Sequence, residues 1–235
     1  RLLSMIGFYN YTIILTFLGL FVSVFGMTQA MEGHFRMAIF CLAFSGLCDA
    51  FDGKVARTKK DRTDDQKLFG IQLDSLCDVI CFGIFPAMIC YLLGVRGPLG
   101  GISIGYYCLC AVMRLAFFNV LETNRQSSAA AGEKVYHGLP VTSIAVIFPL
   151  TFLLEFLVPS RLFSPLLTVM LFVVGTCFIL DFKMRRPRPA VIGLLIAVVA
   201  CAVCIIFLFS RFRLIDTPDY HEKPLIDQFA ENRND

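Results

Sequence analysis

Apolar residues run through this chain in long blocks with few polar interruptions. Seven blocks separate: Tyr11 to Met27, Phe35 to Phe51, Gly70 to Leu93, Leu99 to Leu121, Val141 to Val158, Phe163 to Asp181 and Pro189 to Ser210. Each is about 17 to 24 residues long, near the length at which a helix rising 1.5 Å per residue crosses ~30 Å of hydrocarbon. The blocks lack the polar face that a helix of a water-soluble bundle turns to solvent, which excludes that class. The pattern predicts an all-α fold, a polytopic membrane bundle of about seven transmembrane helices. The ten residues before Tyr11, with Leu2, Leu3, Ile6 and Phe8, are expected to lie as a short interfacial helix.

Composition agrees with a bilayer as solvent. The 235 residues are 57% hydrophobic and 17% charged, and 24 of them are Phe; the mean hydropathy is +0.73. Residues 1–210 are expected to form one membrane-embedded domain and residues 211–235 a polar tail holding Pro218 and Pro224. Net charge is only +3, but its distribution is informative. The loops after the second, fourth and sixth blocks carry twelve Lys and Arg residues, against three, Arg36, Arg96 and Arg161, in the alternate loops and their edges. Basic loops stay on the cytosolic side, so the loop after the second block is expected to face the cytosol. The ten cysteines fall in apolar segments and are read as small hydrophobes. Cys201 and Cys204 have a C-x-x-C spacing without a companion pair, so no zinc or redox site is expected. Membrane lipids are the expected surroundings, with no nucleic-acid partner.

One polar stretch breaks the pattern, CDAFDGKVARTKKDRTDDQKLFGIQLDSLCD from Cys48 to Asp78. Asp49 and Asp52 are three apart and Asp74 and Asp78 four apart, so on a helix each pair faces one way. Four such carboxylates without His form a hard-oxygen set, suited to Mg²⁺ or Mn²⁺ and not to zinc. Two such ions would clamp a diphosphate and stabilise the entering and leaving oxygens of an in-line displacement. Gly53 and Gly70 leave room for a phosphate or a facing backbone, and Arg57 offers a planar fork to phosphate oxygens. The alternative is a solvated loop of mixed charge joining two helices, but acids at membrane depth are functional by default.

Read as a motif, the stretch is D-x-x-D-G-x-x-A-R, a spacer, then G-x-x-x-D-x-x-x-D, with Asp49, Asp52, Gly53, Ala56, Arg57, Gly70, Asp74 and Asp78 at the fixed positions. It resembles the signature of the CDP-alcohol phosphatidyltransferase family at every one of them. The spacer differs: Thr58 to Phe69 is twelve residues against about eight, and the extra length is expected to loop into the cytosol. Within the family, SLCDVICFGIFPA from Ser75, RLAFFNV from Arg114 and GLP from Gly138 are similar to the phosphatidylserine synthase branch. Phe117 stands where that branch has a second Arg, so no contact is carried over there.

The resemblance implies that the hydroxyl of L-serine attacks the lipid-side phosphorus of CDP-diacylglycerol, leaving phosphatidylserine and releasing CMP. Asp49, Asp52 and Asp74 would be metal ligands, and Asp78 both a ligand and the base. Asp52, Gly53, Ala56, Arg57 and Gly70 would shape the nucleotide and diphosphate pocket, with Asn10 and Thr12 near the nucleotide. A homodimer is a further expectation. Two readings compete: the same chemistry on glycerol phosphate or inositol phosphate, and a cation transporter that uses the acids as an ion path. A phosphorylated acceptor needs clustered deep basic residues, which this chain lacks; a transporter needs acids that continue across the membrane.

Outside the motif, Arg114 lies at helical depth comparable to Asp78 and is expected to hold the acceptor or a phosphate, with Asn119 adding a hydrogen bond. Glu155, near the outer end of the fifth block, is explained by snorkelling. His137 is read as an exposed loop residue. The basic run KMRRPRP from Lys183 anchors an inner loop, and each of its charges would draw anionic lipid with ~1 kcal/mol.

Overall fold

The computed structural model describes residues 7–8, 11–56, 63–127, 136–184 and 189–209. Asn10, Arg57, the interfacial helix expected before Tyr11 and the tail 211–235 lie outside the described residues, wholly or in their greater part. Within them the chain is helical apart from one short ribbon. The helices are α1 (Ile14–Met31), α2 (Phe35–Ala56), α3 (Asp64–Asp78), α4 (Phe85–Leu92), α5 (Gly97–Ser127), α6 (Ile144–Leu153), α7 (Ser160–Ile179) and α8 (Pro189–Phe209). A π-helical segment, Val79–Ile84, joins α3 to α4 without a break.

These elements follow the seven apolar blocks, but fewer than seven meet the length and apolarity needed to span a membrane. Among the described residues those are Ile14–Met31, Asp64–Leu92, Gly97–Thr123 and Ser160–Ile179, with Val141–Phe156 and Gly193–Leu208 apolar but shorter. Helix α2 is long enough at 22 residues, yet it carries Arg36, Asp49, Asp52 and Lys54. Its charges, not its length, set it apart.

Helix α1 shows why the first pair packs. It buries Gly19, Ser23, Gly26 and Ala30, spaced so that small residues form one stripe and the backbone of α2 can come close. A Cβ on Gly26 would stand 2.7 Å from Cβ of Cys41 and would meet the ring of Phe85. At the end of α1 Gly33 adopts φ +81°, a left-handed turn open to glycine, and its N–H reaches the carbonyl of Ala30 at 3.1 Å. The chain then reverses into α2.

The third rod begins earlier than the apolar pattern suggests. Thr63 caps α3, its hydroxyl accepting from the N–H of Gln66 at 3.3 Å, and Asp64 and Asp65 occupy the first turn. Lys67 closes that turn on Asp64 at 2.9 Å. The part of the spacer from Asp64 to Phe69 is therefore helix and not loop, a correction whose reason is the cap and the acidic first turn. Further along, Phe82, Phe85, Tyr107, Phe148 and Phe178 are fully buried and fill the centre. Aromatic and aliphatic side chains such as Phe21, 73% exposed, and Leu157, 81% exposed, point outward as lipid-facing residues do.

The loops after α5 and α7 meet. Tyr136–His137 (β1) pairs antiparallel with Lys183–Met184 (β2), and the N–H of Gly138 continues the contact to the carbonyl of Phe182 at 2.9 Å. Gly138 has φ +69°, and a Cβ there would lie 2.6 Å from the carbonyl of Leu180. The Gly-Leu-Pro turn is thus locked onto the end of α7 before Pro140 leads into the 3-10 turn Val141–Ser143 and α6.

Candidate active site

The carboxylates sit where three helix ends converge. The C-terminal half of α2 supplies Asp49 and Asp52, the C-terminal turns of α3 supply Asp74 and Asp78, and the N-terminal half of α1 closes one side with Thr16 and Gly19. They line a narrow cleft that is open to the outside. One oxygen each from Asp49, Asp74 and Asp78 lie within 4.8 Å of one another, and all three residues are half-buried. Asp52, 9% exposed, accepts from the hydroxyl of Thr16 at 3.4 Å and lines the same cleft as Asp74.

The donor set fits a hard divalent cation. Oxygens bound to one Mg²⁺ at ~2.1 Å stand up to ~4.2 Å apart, so a small inward movement of the triad would suffice. Among the described residues no Lys, Arg or His comes within ion-pair distance of Asp49, Asp74 or Asp78. Three neighbouring carboxylates partly withdrawn from water, with no basic partner among the described residues, are costly, and a bound cation would offset that cost. Cys48, Cys77 and Cys81 also line the cleft, but none joins a ligand group with the acids at this spacing.

Small residues keep the cleft open. A Cβ on Gly19 would touch Cβ of Cys48 and the hydroxyl of Ser45, each at 3.5 Å, at the wall of the cleft. Gly70 is half-buried on α3, one turn before Asp74 and on the same face. Gly53 and Ala56 lie on the last turn of α2, and Thr12 lies in the 3-10 turn Tyr11–Ile13 that leads into α1. These three are placed by their backbone. Phe8 packs edge-on against Phe69 of α3 at 5.6 Å.

The two α5 residues fall outside the cleft lining. Asn119 accepts from the hydroxyl of Ser75 at 2.6 Å and donates to Gln72 at 3.4 Å. It is thereby engaged with α3, on residues adjacent to the acids. Arg114 is half-buried and donates to the carbonyl of Gly138 at 3.4 Å, with Asp181 in electrostatic range. Phe117 is exposed on the outside of α5, so the Arg it replaces has no counterpart contact in the cleft. His137 contributes its backbone to the ribbon. Sequence reasoning passed over Thr16 and Ser45; the available signal was a hydroxyl inside an apolar block at helical spacing from another polar position, Thr16 from Thr12 and Ser45 from Asp49.

Comparison with known proteins bears on this geometry. Residues 9–206 match the family described as CDP-alcohol phosphatidyltransferase. The chain is 27% identical over 184 residues to CDP-diacylglycerol–serine O-phosphatidyltransferase of Saccharomyces cerevisiae, covering 72% of this chain and 64% of the yeast protein. It is 32% identical over 138 residues to the protein of that name from Helicobacter pylori, covering 58% and 54%. With archaetidylserine synthase of Methanothermobacter thermautotrophicus it shares 36% over 118 residues, covering 50% and 46%. The chain thus spans about half to two thirds of the length of these relatives. With a match that runs from the head of α1 through most of α8 and takes in all four carboxylates, the chain belongs to the CDP-alcohol phosphatidyltransferase family.

Proposed function

We propose that this protein transfers the phosphatidyl group of CDP-diacylglycerol to L-serine, giving phosphatidylserine and CMP. The observation that carries this is the convergence of Asp49, Asp74 and Asp78 within 4.8 Å in a cleft that Asp52 also lines, in a family whose matched relatives are named for attaching serine. Two divalent ions, Mg²⁺ or Mn²⁺, would neutralise the diphosphate and stabilise charge on its oxygens when bound. Asp49, Asp52 and Asp74 would hold them, with Asp78 completing the set.

The chain's own residues do the rest. Asp78, at the last α-helical position before the π segment, takes the proton from the serine hydroxyl as its oxygen bonds to phosphorus. The bond from phosphorus to the CMP oxygen breaks, and CMP leaves with the electron pair. An ionised carboxylate can accept that proton at neutral pH if it lies within hydrogen-bond reach. Gly53 and Ala56 on the last turn of α2, together with Gly70 on α3, would border the nucleotide; Arg57, Asn10 and Thr12 are assigned to it from the resemblance of the sequence to the family motif. Thr16 orients Asp52 through its hydroxyl. Arg114 lies off the cleft lining with Asp181 in range, and we propose that it turns to the serine carboxylate when substrate binds, because its 3.4 Å bond to Gly138 engages only part of its donor fork.

The purified protein should release CMP from CDP-diacylglycerol with L-serine in a metal-dependent manner, and not with glycerol phosphate or inositol phosphate. Arg114→Lys should raise the serine KM far more than that for CDP-diacylglycerol, since a planar fork becomes a point charge. A phosphorylated alcohol outperforming serine would overturn the acceptor and keep the phosphatidyl transfer. Absence of metal-dependent CMP release with every alcohol would favour the transporter.

The site is proposed to face the cytosol, where nucleotide-activated substrates are made and where the twelve basic loop residues would lie. In a Cys-depleted background, a cysteine replacing Arg62 should react with a membrane-impermeant thiol reagent only from the cytosolic side. One replacing Arg96 should react only from the other. Labelling of both from one face would refute this orientation.

A further inference from the structure

The π segment is the unusual element of this fold, and it begins one residue after Asp78. Its six residues, Val79–Ile84, precede a helix whose first N–H, that of Phe85, reaches five residues back to the carbonyl of Ile80. A turn widened in this way takes in about one extra residue, so the helix after it is rotated by ~100° relative to an unbroken α-helix. Asp74 and Asp78 stand before the wide turn. Phe85, fully buried and pressed against the Gly26 position of α1, stands after it. The direction in which the two carboxylates point, once α4 is anchored, is therefore set by whether the wide turn persists.

The sequence shows what a regular turn would lack. In an α-helix the carbonyl of Phe82 would accept from residue 86, which is proline and has no N–H. In the structure that carbonyl accepts instead from the hydroxyl of Tyr107 at 2.6 Å. Tyr107 lies on α5 at 0% exposure, its ring 5.6 Å from that of Phe178, with Gly175 of α7 leaving room for its backbone. The neighbouring Cys108 adds a weak contact from its sulfur to the carbonyl of Gly83 at 3.7 Å. Two successive carbonyls of the wide turn are thus held by two successive residues of α5.

We infer that Tyr107 is a positioning residue for the carboxylate site: its hydroxyl replaces the N–H that Pro86 lacks, holds the wide turn open, and so aims Asp74 and Asp78 at the metal and the reacting centre. The inference rests on the reading of the four carboxylates as a divalent-cation site.

Tyr107→Phe keeps the ring and removes only the hydroxyl. In the purified protein it should weaken binding of Mn²⁺ alone at least fivefold and speed amide hydrogen exchange across residues 79–92. It should lower kcat for CMP release about tenfold, with the KM for serine nearly unchanged. Tyr106→Phe is the control, because it removes a hydroxyl bonded to Thr176 at 3.0 Å on the neighbouring face of the same helix; Mn²⁺ affinity should stay within twofold. Adding Pro86→Ala to Tyr107→Phe returns an N–H to residue 86 and lets the turn close into a regular helix. That double variant should regain thermal stability without regaining Mn²⁺ affinity, and it supplies a folded protein if Tyr107→Phe alone proves unstable. Tyr107→Phe binding Mn²⁺ as the wild type does, or a double variant that recovers affinity together with stability, would overturn the inference. A wild type that binds Mn²⁺ in a Tyr107-dependent way and yet releases no CMP would overturn the proposed function and support the positioning role.

Discussion

Asp78→Asn should abolish turnover, with kcat for CMP release falling by ~10²–10⁴-fold or more, while CDP-diacylglycerol binding is largely kept. The amide preserves the shape of the side chain at the end of α3 but cannot take the serine proton, and loss of general-base catalysis is worth ~10²–10⁴ in rate. Asp78 also belongs to the triad whose oxygens lie within 4.8 Å of one another, so affinity for Mn²⁺ should fall as well. The two effects separate experimentally: saturating Mn²⁺ restores metal occupancy and leaves the rate low. A variant that turned over within tenfold of wild type at saturating metal would remove Asp78 from the role of base and leave it as a ligand. Asp49→Asn is the useful comparison, since a ligand that is not the base should be rescued in part by excess metal.

The second large effect concerns assembly. Gly26→Ala should lower the thermal stability of the detergent-solubilised protein, whereas Gly101→Ala, the same change on an open helix face, should leave it equal or higher. At Gly26 the new Cβ would stand 2.7 Å from Cβ of Cys41 and strike the ring of Phe85, while at Gly101 nothing lies within 4 Å. Overpacking of this kind costs ~1–3 kcal/mol, and the helix-interior preference for Ala over Gly, ~0.5–1 kcal/mol, is too small to offset it. At Gly101 that preference acts alone, so the sign reverses. Because α1 also carries Thr16, whose hydroxyl meets Asp52 at 3.4 Å, displacement of α1 should raise the metal concentration needed for half-maximal activity. Equal melting temperatures for the two variants would show that the α1–α2 contact is not as close as described.

Much of this architecture is legible along the chain, because the features concerned are local. The apolar blocks specify helices by length and composition, and the structure places a helix in each of the seven. The acids at 49, 52, 74 and 78 are spaced so that each pair shares a helix face whatever the rest of the fold does. Their type, oxygen donors without His, already restricts the partner to a hard cation. Thr63 with Asp64 and Asp65 is a readable helix start as well, although the low hydropathy of the spacer hides it.

Other features depend on how the helices turn toward one another, which periodicity within one helix does not encode. Arg114 and Asp78 are at comparable depth by counting residues, yet Arg114 reaches the carbonyl of Gly138 and stays off the cleft lining. Asn119 turns to Ser75 and Gln72 on α3. Pro86 announces that the carbonyl of Phe82 has lost its helical donor, but only packing determines that the replacement comes from Tyr107, 25 residues away. Depth follows from rise per residue, a property of one helix. Azimuth follows from the close approach of glycine stripes, the wide turn after Asp78 and the locking of the Gly138 turn onto α7, and each of these is a contact between elements. The sequence by itself therefore determined which residues could bind a metal, and the tertiary structure decided which of the remaining polar residues stand beside it.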